Sequence, residues 1–362
     1  MTSIEISNIR LNNQQITGSK FETVKDLAGW MGALQAQDYA MSKWALGVRL
    51  PGFSDFIVEE AINKGEIIRT HLLRPTWHFA SSDDIYWMLE LSSPQIKALM
   101  KSRLKELELS EAILSKSNAI IENALSGNNH LTREELATLF NTSGIATNDN
   151  RLSHIMTHAE MEGIVCSGAV KDKKQTFAIL SERVVKTKSF TKEEALAKLA
   201  RNYFSSHGPA TLQDFIWWSG LPVRDARAAL EMVKQEFISE TIDSEMYYLP
   251  NAFSIPKDKT NSIHLLPAFD EFLISYKNRT ASLLPENHGK TISKNGIFNP
   301  IIVINGKVVG LWKRTVKKDT VIIETDFFQP TNPEIEVLFN EKKEAFGIFL
   351  DKKTEYKNKT GT

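Results

Sequence analysis

Gln35 and Gln37 stand one residue apart in the stretch GALQAQDYA, after an apolar run with helical spacing and directly before Asp38. A glutamine side chain has no proton equilibrium near neutral pH, so neither residue can act as a general base. Its carbonyl accepts and its NH2 donates, so the chemistry open to such a pair is the placement of a small polar molecule. Residues two apart in an extended segment project to the same side; both amides then converge while Ala36 and Asp38 face elsewhere. The plainer alternative is a polar loop whose amides bond to backbone or to water. Asp38 is the better base in isolation, but its place before YAMSKWAL fits the N-cap of a following helix.

Other reactive constellations are sparse. His154 and His158 in HIMTH lie four apart on one helical face, the spacing of a metal pair, but no third ligand stands beside them, and no metal is expected. The chain carries no P-loop, G-x-G-x-x-G, G-x-S-x-G or H-E-x-x-H motif, which removes the usual support for nucleotide-driven, dinucleotide-dependent and serine-hydrolase chemistry. No cofactor is expected. Cys166 is the single cysteine among 362 residues, so an internal disulfide and a thiolate-rich zinc site are excluded. Lys plus Arg equals Asp plus Glu, at 44 each, so any surface for a polyanion must arise from local segregation of charge. No apolar run approaches the length of a membrane span. MTSIEISNIRLNN lacks the basic and apolar regions of a secretory signal, so a cytoplasmic protein is expected.

The elements that must position the glutamines form a repeated pattern: helix, turn, helix, then two short strands around a polar tip, the plan of a winged helix. The clearest copy spans residues 211–250, with Thr211 as N-cap, Gly220 and Pro222 at the turn, and Ala226, Ala229, Leu230 and Val233 as an apolar stripe. A second copy, residues 131–180, opens on a capping box of Thr132 and Glu135, and its wing tip VKDKKQ holds three lysines. In the first copy FETVKDLAGWMGAL and FSDFIVEEAINKGE read as helices, with the glutamine pair between them. IIRTHLLRPTWHFA reads as the wing, turning near Arg74 and Pro75. Amphipathic helices join the first copy to the second. From about residue 260 the texture becomes strand-like, with Asn305-Gly306 marking a hairpin and PEIEVLFNEKKEAFGIFL an amphipathic helix. The expected fold is α+β: tandem winged helix-turn-helix units followed by a small C-terminal β-rich domain. The expected divisions are 1–128, 129–187, 188–257 and 258–362.

Four stretches, LAGWMGALQAQDYAMSKWALGVRL, RTHLLRPTWHFA, LLPAFDEFLISYKNR and FNPIIVINGKVVGLWKR, resemble the AlkZ-like winged-helix DNA glycosylases, and the likeness covers nearly the whole chain. The family signature, Gln, a small or aliphatic residue, then Gln or Asp, falls on Gln35, Ala36 and Gln37, in the Gln-x-Gln branch. The resemblance implies a monofunctional DNA glycosylase of base excision repair that acts on double-stranded DNA carrying alkylated purines. Alkylation at N7 or N3 makes the purine a cationic leaving group, so a water fixed by two amides is sufficient where a base would otherwise be needed. Simple methyl adducts, bulky adducts and interstrand crosslinks all present that cation, and the sequence leaves them open. Three DNA-binding units in one chain can span a duplex, so a monomer is expected.

Arg69, Arg74, Lys171, Lys173 and Lys174 are candidates for phosphate contacts, and His78, with His71, for donation to phosphate or support of the site. Trp77, Trp217 and Trp218 are assigned to the core. Asp270, Glu271, Lys277 and Arg279 in FDEFLISYKNR form a mixed set without an assigned role. The rival reading is a non-enzymatic winged-helix DNA-binding protein or transcriptional regulator in which the glutamines are structural.

Overall fold

Threonine opens helix after helix in this chain because its hydroxyl can accept from an otherwise unpartnered amide of the first turn. Thr2, Thr132, Thr191 and Thr211 each form a reciprocal capping box with the acid three residues on. The computed structural model describes residues 1–186, 188–251 and 262–358. The expected divisions near residues 187 and 257 lie at or within the segments outside that description.

Three small antiparallel sheets share one topology, in which the strand last in sequence lies in the middle. In the first, Leu34–Gln35 pairs with Thr76–Ser81, which pairs with Ile67–Leu72. In the second, Leu131–Thr132, Thr176–Ile179 and Val165–Ser167 take the same places, and in the third Ala210–Thr211, Glu245–Pro250 and Phe237–Ile242. Two helices separate the short strand from the hairpin each time: Tyr39–Gly47 and Asp55–Asn63, then Arg133–Thr142 and Arg151–Met161, then Leu212–Ser219 and Val223–Val233. The helix Val24–Met31 therefore precedes the first unit's sheet, and the glutamines lie at its short strand rather than between its helices. Asp38 caps Tyr39–Gly47, accepting from the Met41 amide at 3.1 Å. It does there what Thr132 and Thr211 do in the later units.

Helices Ile85–Glu106 and Glu111–Leu125 join the first unit to the second, and helix Lys192–His207 leads into the third. The C-terminal sheet runs Ile263–Leu266, Ile301–Ile304, Lys307–Val316, Thr320–Phe327 and Lys353–Asn358, the last pair parallel because helix Pro333–Phe349 forms the crossover. Asn305 and Gly306 take φ of 49° and 78°, the hairpin geometry their types favour. A β-carbon on Gly306 would come within 2.5 Å of Cβ of Ser7, so the N-terminal helix Ser3–Asn13, whose one sequence signal is the Thr2–Glu5 capping box, closes directly on that turn.

Strand alternation in the first hairpin distributes its side chains between two cores. Ala33, Ile68, Leu72 and Ala80 join Tyr203, Phe215 and Trp218 of the third unit and its leading helix. Leu34, Ile67 and Phe79 join Ile302, Trp312 and Phe346 of the C-terminal sheet and helix. No helix among the described residues is long and apolar enough to cross a membrane.

Candidate active site

Gln35 sits opposite His78 in the first sheet, and the ladder continues through the Ala36 amide, which donates to the Trp77 carbonyl at 2.7 Å. Its side chain is 6 % exposed, and its Oε1 accepts from Nη2 of Arg74 at 3.0 Å. Gln37 is exposed, and its Oε1 accepts from the Trp77 amide at 3.4 Å. One hairpin thus holds both amide oxygens, at Arg74 and at Trp77. Among the described residues no protein acceptor engages either Nε2, so both NH2 groups remain available. The pair is asymmetric, one member inside the fold and the other at its surface.

Beneath Gln35 lies a carboxylate to which the sequence reading gave no role. Glu271 is 2 % exposed, and its Oε1 accepts from the Gln35 amide at 2.6 Å. Its Oε2 accepts from Trp218 Nε1 at 3.1 Å and from the Ser275 hydroxyl, and lies 3.6 Å from His207 Nε2. Burial alone would raise this carboxyl, but contact with His207 and the donors Ser275 and Gln35 carry it the other way, to about 2. A full negative charge therefore sits inside the protein against the backbone of the first glutamine. The neighbouring Asp270 forms a two-pronged pair with Arg49, at 2.8 and 2.9 Å, while Arg49 Nε donates to the Gln14 carbonyl. Two adjacent acids inside the apolar run LLPAFDEFLISY were the one available signal of such burial.

The expected phosphate contacts divide into two groups. Arg74 occupies the turn of the first hairpin, half-buried, bonded to Gln35 and, at 3.4 Å, to the Trp217 carbonyl. Lys171, Lys173 and Lys174 are exposed at the tip of the second hairpin, Lys171 2.9 Å from Glu135 and Lys174 3.6 Å from Glu134. Arg69 and His78, by contrast, face inward. Arg69 is 7 % exposed; its Nε donates to the Ala36 carbonyl at 3.0 Å and its Nη1 to Gln175 Oε1 at 2.6 Å, tying the glutamine segment to the second unit. Its Cζ lies 4.1 Å from the centre of the Trp77 ring. His78 is fully buried because alternation points it to the same side as Gln35, and its Nδ1 lies 2.8 Å from the Thr76 carbonyl. Burial leaves His78 the second of its two expected roles, support of the site, and leaves Arg69 tied to the fold at the edge of a cleft. A cleft of about 440 Å³ separates the first two hairpins, lined by Arg69, Trp77, Lys173, Lys174, Gln175 and Phe177. Trp218 is core as expected, whereas Trp217 is half-buried with its Nε1 bonded to the Ile274 carbonyl at 2.8 Å. Among the described residues no group of three or more His, Cys, Asp or Glu side chains is arranged to hold a metal ion.

These burials make stability depend on acid. Burial, with the charge of Arg74 adding, pushes His78 down to about 3, and burial likewise pushes His264 of the C-terminal sheet down to about 3. In the unfolded chain each takes a proton near pH 6.5. The stability that these two histidines contribute is therefore fully present above about pH 6.5 and is lost as pH drops toward 3, by up to about 1.4 kcal/mol per pH unit for each. Glu271 adds a further loss from its ordinary value of 4.5 down to about 2. In urea unfolding at about pH 7.5 and 5.5 the native chain is expected to lose more stability between the two than His264→Leu. Equal losses would show that His264 is protonated in the folded state.

The sequence profile of the AlkZ-like DNA glycosylases matches residues 28–345. The chain belongs to that family, and is an enzyme of the class of hydrolases that act on N-glycosyl bonds in DNA repair. The interstrand DNA cross-link repair glycosylase of Streptomyces sahachiroi is 21 % identical over 350 residues, covering 93 % of each chain. The solved structure of the Streptomyces sahachiroi DNA glycosylase AlkZ superimposes with a TM-score of 0.80 at 17 % identity, over 99 % of this chain and 100 % of that one. It has the same mixed α and β fold with a C-terminal sheet.

Proposed function

We propose that Gln35 and Gln37 position the water that hydrolyses the N-glycosidic bond of an alkylated, cationic purine in duplex DNA, as a step of base excision repair. One observation supports this most directly: a buried amide with a free NH2, its backbone resting on an ionised carboxylate, stands at a hairpin where a second amide reaches the surface. The water oxygen adds to C1′ as the C1′–N9 bond breaks. The bonding pair leaves with the base and neutralises its charge, and the water's surplus proton passes to solvent. The products are a free alkylpurine and an abasic site.

No base is needed because the lesion supplies the driving force. What the protein contributes is proximity, through the two amides, and a fixed field. Sugar charge grows positive at the transition state, and the Glu271 carboxylate beneath Gln35 is oriented before the reaction begins. In this reading the three repeated units, within 1–128, 129–187 and 188–257, are tandem winged helices that grip the duplex, followed by the C-terminal domain 258–362. Arg74 and Lys171, Lys173 and Lys174 face its backbone, and the protein acts as a monomer without a cofactor. Arg69 and His78 hold the glutamine segment in place.

The test is base release from duplexes carrying N7-methylguanine, a bulky N7 adduct or an interstrand crosslink, against intact duplex. Free modified base with an abasic product is expected from at least one lesion, and none from intact DNA. Tight binding to one undamaged sequence without any release would favour the regulator instead.

A further inference from the structure

Trp217 is ringed by positive charge. The guanidinium carbon of Arg74 lies 6.0 Å from its ring centre, Nζ of Lys277 4.9 Å and the guanidinium carbon of Arg279 5.3 Å. Among the described residues none of the three lies in an ion pair. Arg74 bonds to the neutral Gln35 amide and to a carbonyl. Arg279 Nε donates to the Leu273 carbonyl at 2.9 Å, and its Nη2 is buried with no hydrogen-bond partner among the described residues. The nearby acid, Asp214, is engaged elsewhere: its oxygens accept from the backbone amides of Lys277, Asn278 and Thr211, and it lies 3.9 Å from Arg10.

Cations gathered without carboxylates cost free energy, since like charges repel and each loses hydration. Burial lowers Arg279 to about 10, against the opposing charge of Asp214, and the charge of Arg74 adds to the lowering. An anion bound among them would relieve both effects. The forked guanidinium suits a phosphate, which accepts two parallel hydrogen bonds.

We propose that Arg74, Lys277 and Arg279 around Trp217 form a binding site for one DNA backbone phosphate, that of the nucleotide whose sugar faces Gln35. The position rests on the reading that Gln35 meets the sugar, since Arg74 touches the glutamine and the Trp217 carbonyl with the two ends of one guanidinium. Binding one phosphate there fixes the sugar's distance from the amides, so the FDEFLISYKNR segment carries both the ionised floor, Glu271, and the backbone clamp.

The experiment titrates the full-length protein into a fluorescent duplex containing a tetrahydrofuran abasic analogue, over about 50–200 mM salt, for the native protein, Lys277→Gln, Arg279→Gln and the double variant. The expected result is weaker binding in each single variant and a log-log salt slope shallower by about 0.9 in the double variant, the loss of one neutralised phosphate. Because Arg279 is half-buried, Lys277→Gln, at an exposed position, decides the matter if Arg279→Gln fails to fold, and Lys277→Arg is expected to restore native binding. Native affinity and slope in a folded Lys277→Gln protein would overturn the site. Base release from an N7-methylguanine duplex is measured in parallel. Altered slopes with no release by the native protein would leave the phosphate site standing and remove the alkylpurine reading, whereas release with native slopes would do the reverse.

Discussion

Gln35→Ala is expected to slow base release from a duplex carrying N7-methylguanine by about 10²–10³-fold in single turnover, the usual effect of removing one preorganised polar group from a reacting centre. Truncation takes away the available NH2 and also the acceptor that holds Arg74, so the guanidinium at the hairpin turn loses its 3.0 Å partner. Gln37→Ala is expected to cost less. Its side chain is exposed and makes one long neutral hydrogen bond, so a loss near 1 kcal/mol, about five- to tenfold in rate, is expected. Gln35→Glu is informative in the other direction, because it puts a carboxylate against the Arg74 guanidinium, which favours its charged form against the opposing charge of Glu271. A rise in its rate with pH, above native at alkaline pH, would mean that the site wants a base after all. Indistinguishable rates for native, Gln35→Ala and Gln37→Ala protein would take the amides out of the mechanism.

The largest effect on stability belongs to Asp270→Ala, expected to cost about 3–5 kcal/mol in urea unfolding at neutral pH. Arg49 is 0 % exposed and Asp270 4 %, so truncation leaves an interior guanidinium without its counter-ion. The same carboxylate accepts from the Phe272 amide at 2.9 Å and caps the short helix Glu271–Ile274, so the turn that presents Glu271 also loses its anchor. Removing both partners with apolar residues of similar volume, Arg49→Met with Asp270→Leu, is expected to recover much of the loss. A single variant within 1 kcal/mol of native would show that water reaches Arg49.

Local signals written in one or two residues were legible in the sequence. Thr132 with Glu135, Thr211, Gly220, the Asn305-Gly306 turn and the stripe from Ala226 to Val233 all specify their structure through neighbours a few positions away, and all are found as expected. Asp38 likewise caps the helix it precedes. The first unit was harder because its short strand, Leu34–Gln35, has only two residues and is defined by a partner some forty positions on. From sequence alone the helix Val24–Met31 therefore reads as part of the repeat and Tyr39–Gly47 only as a following helix. Charged side chains misled for a related reason. Composition cannot tell whether Arg69 points to solvent or to the Ala36 carbonyl, because that depends on which face of the hairpin the second unit covers. Glu271 stands in the sequence as an unassigned acid, and only the arrival of Gln35, Trp218 and His207 from distant positions, beside the local Ser275, gives it meaning.

The carboxylate that accepts the backbone amide hydrogen of Gln35 is translated 236 residues after the glutamine strand. A nascent chain on the ribosome therefore displays Gln35 and Gln37 long before the pedestal under them exists, and the half-finished polypeptide has no assembled centre with which to cut a sugar–base bond. If the amides act as proposed, competence arrives only once the C-terminal half has been added, and a chain ending before Glu271 is expected to release no base.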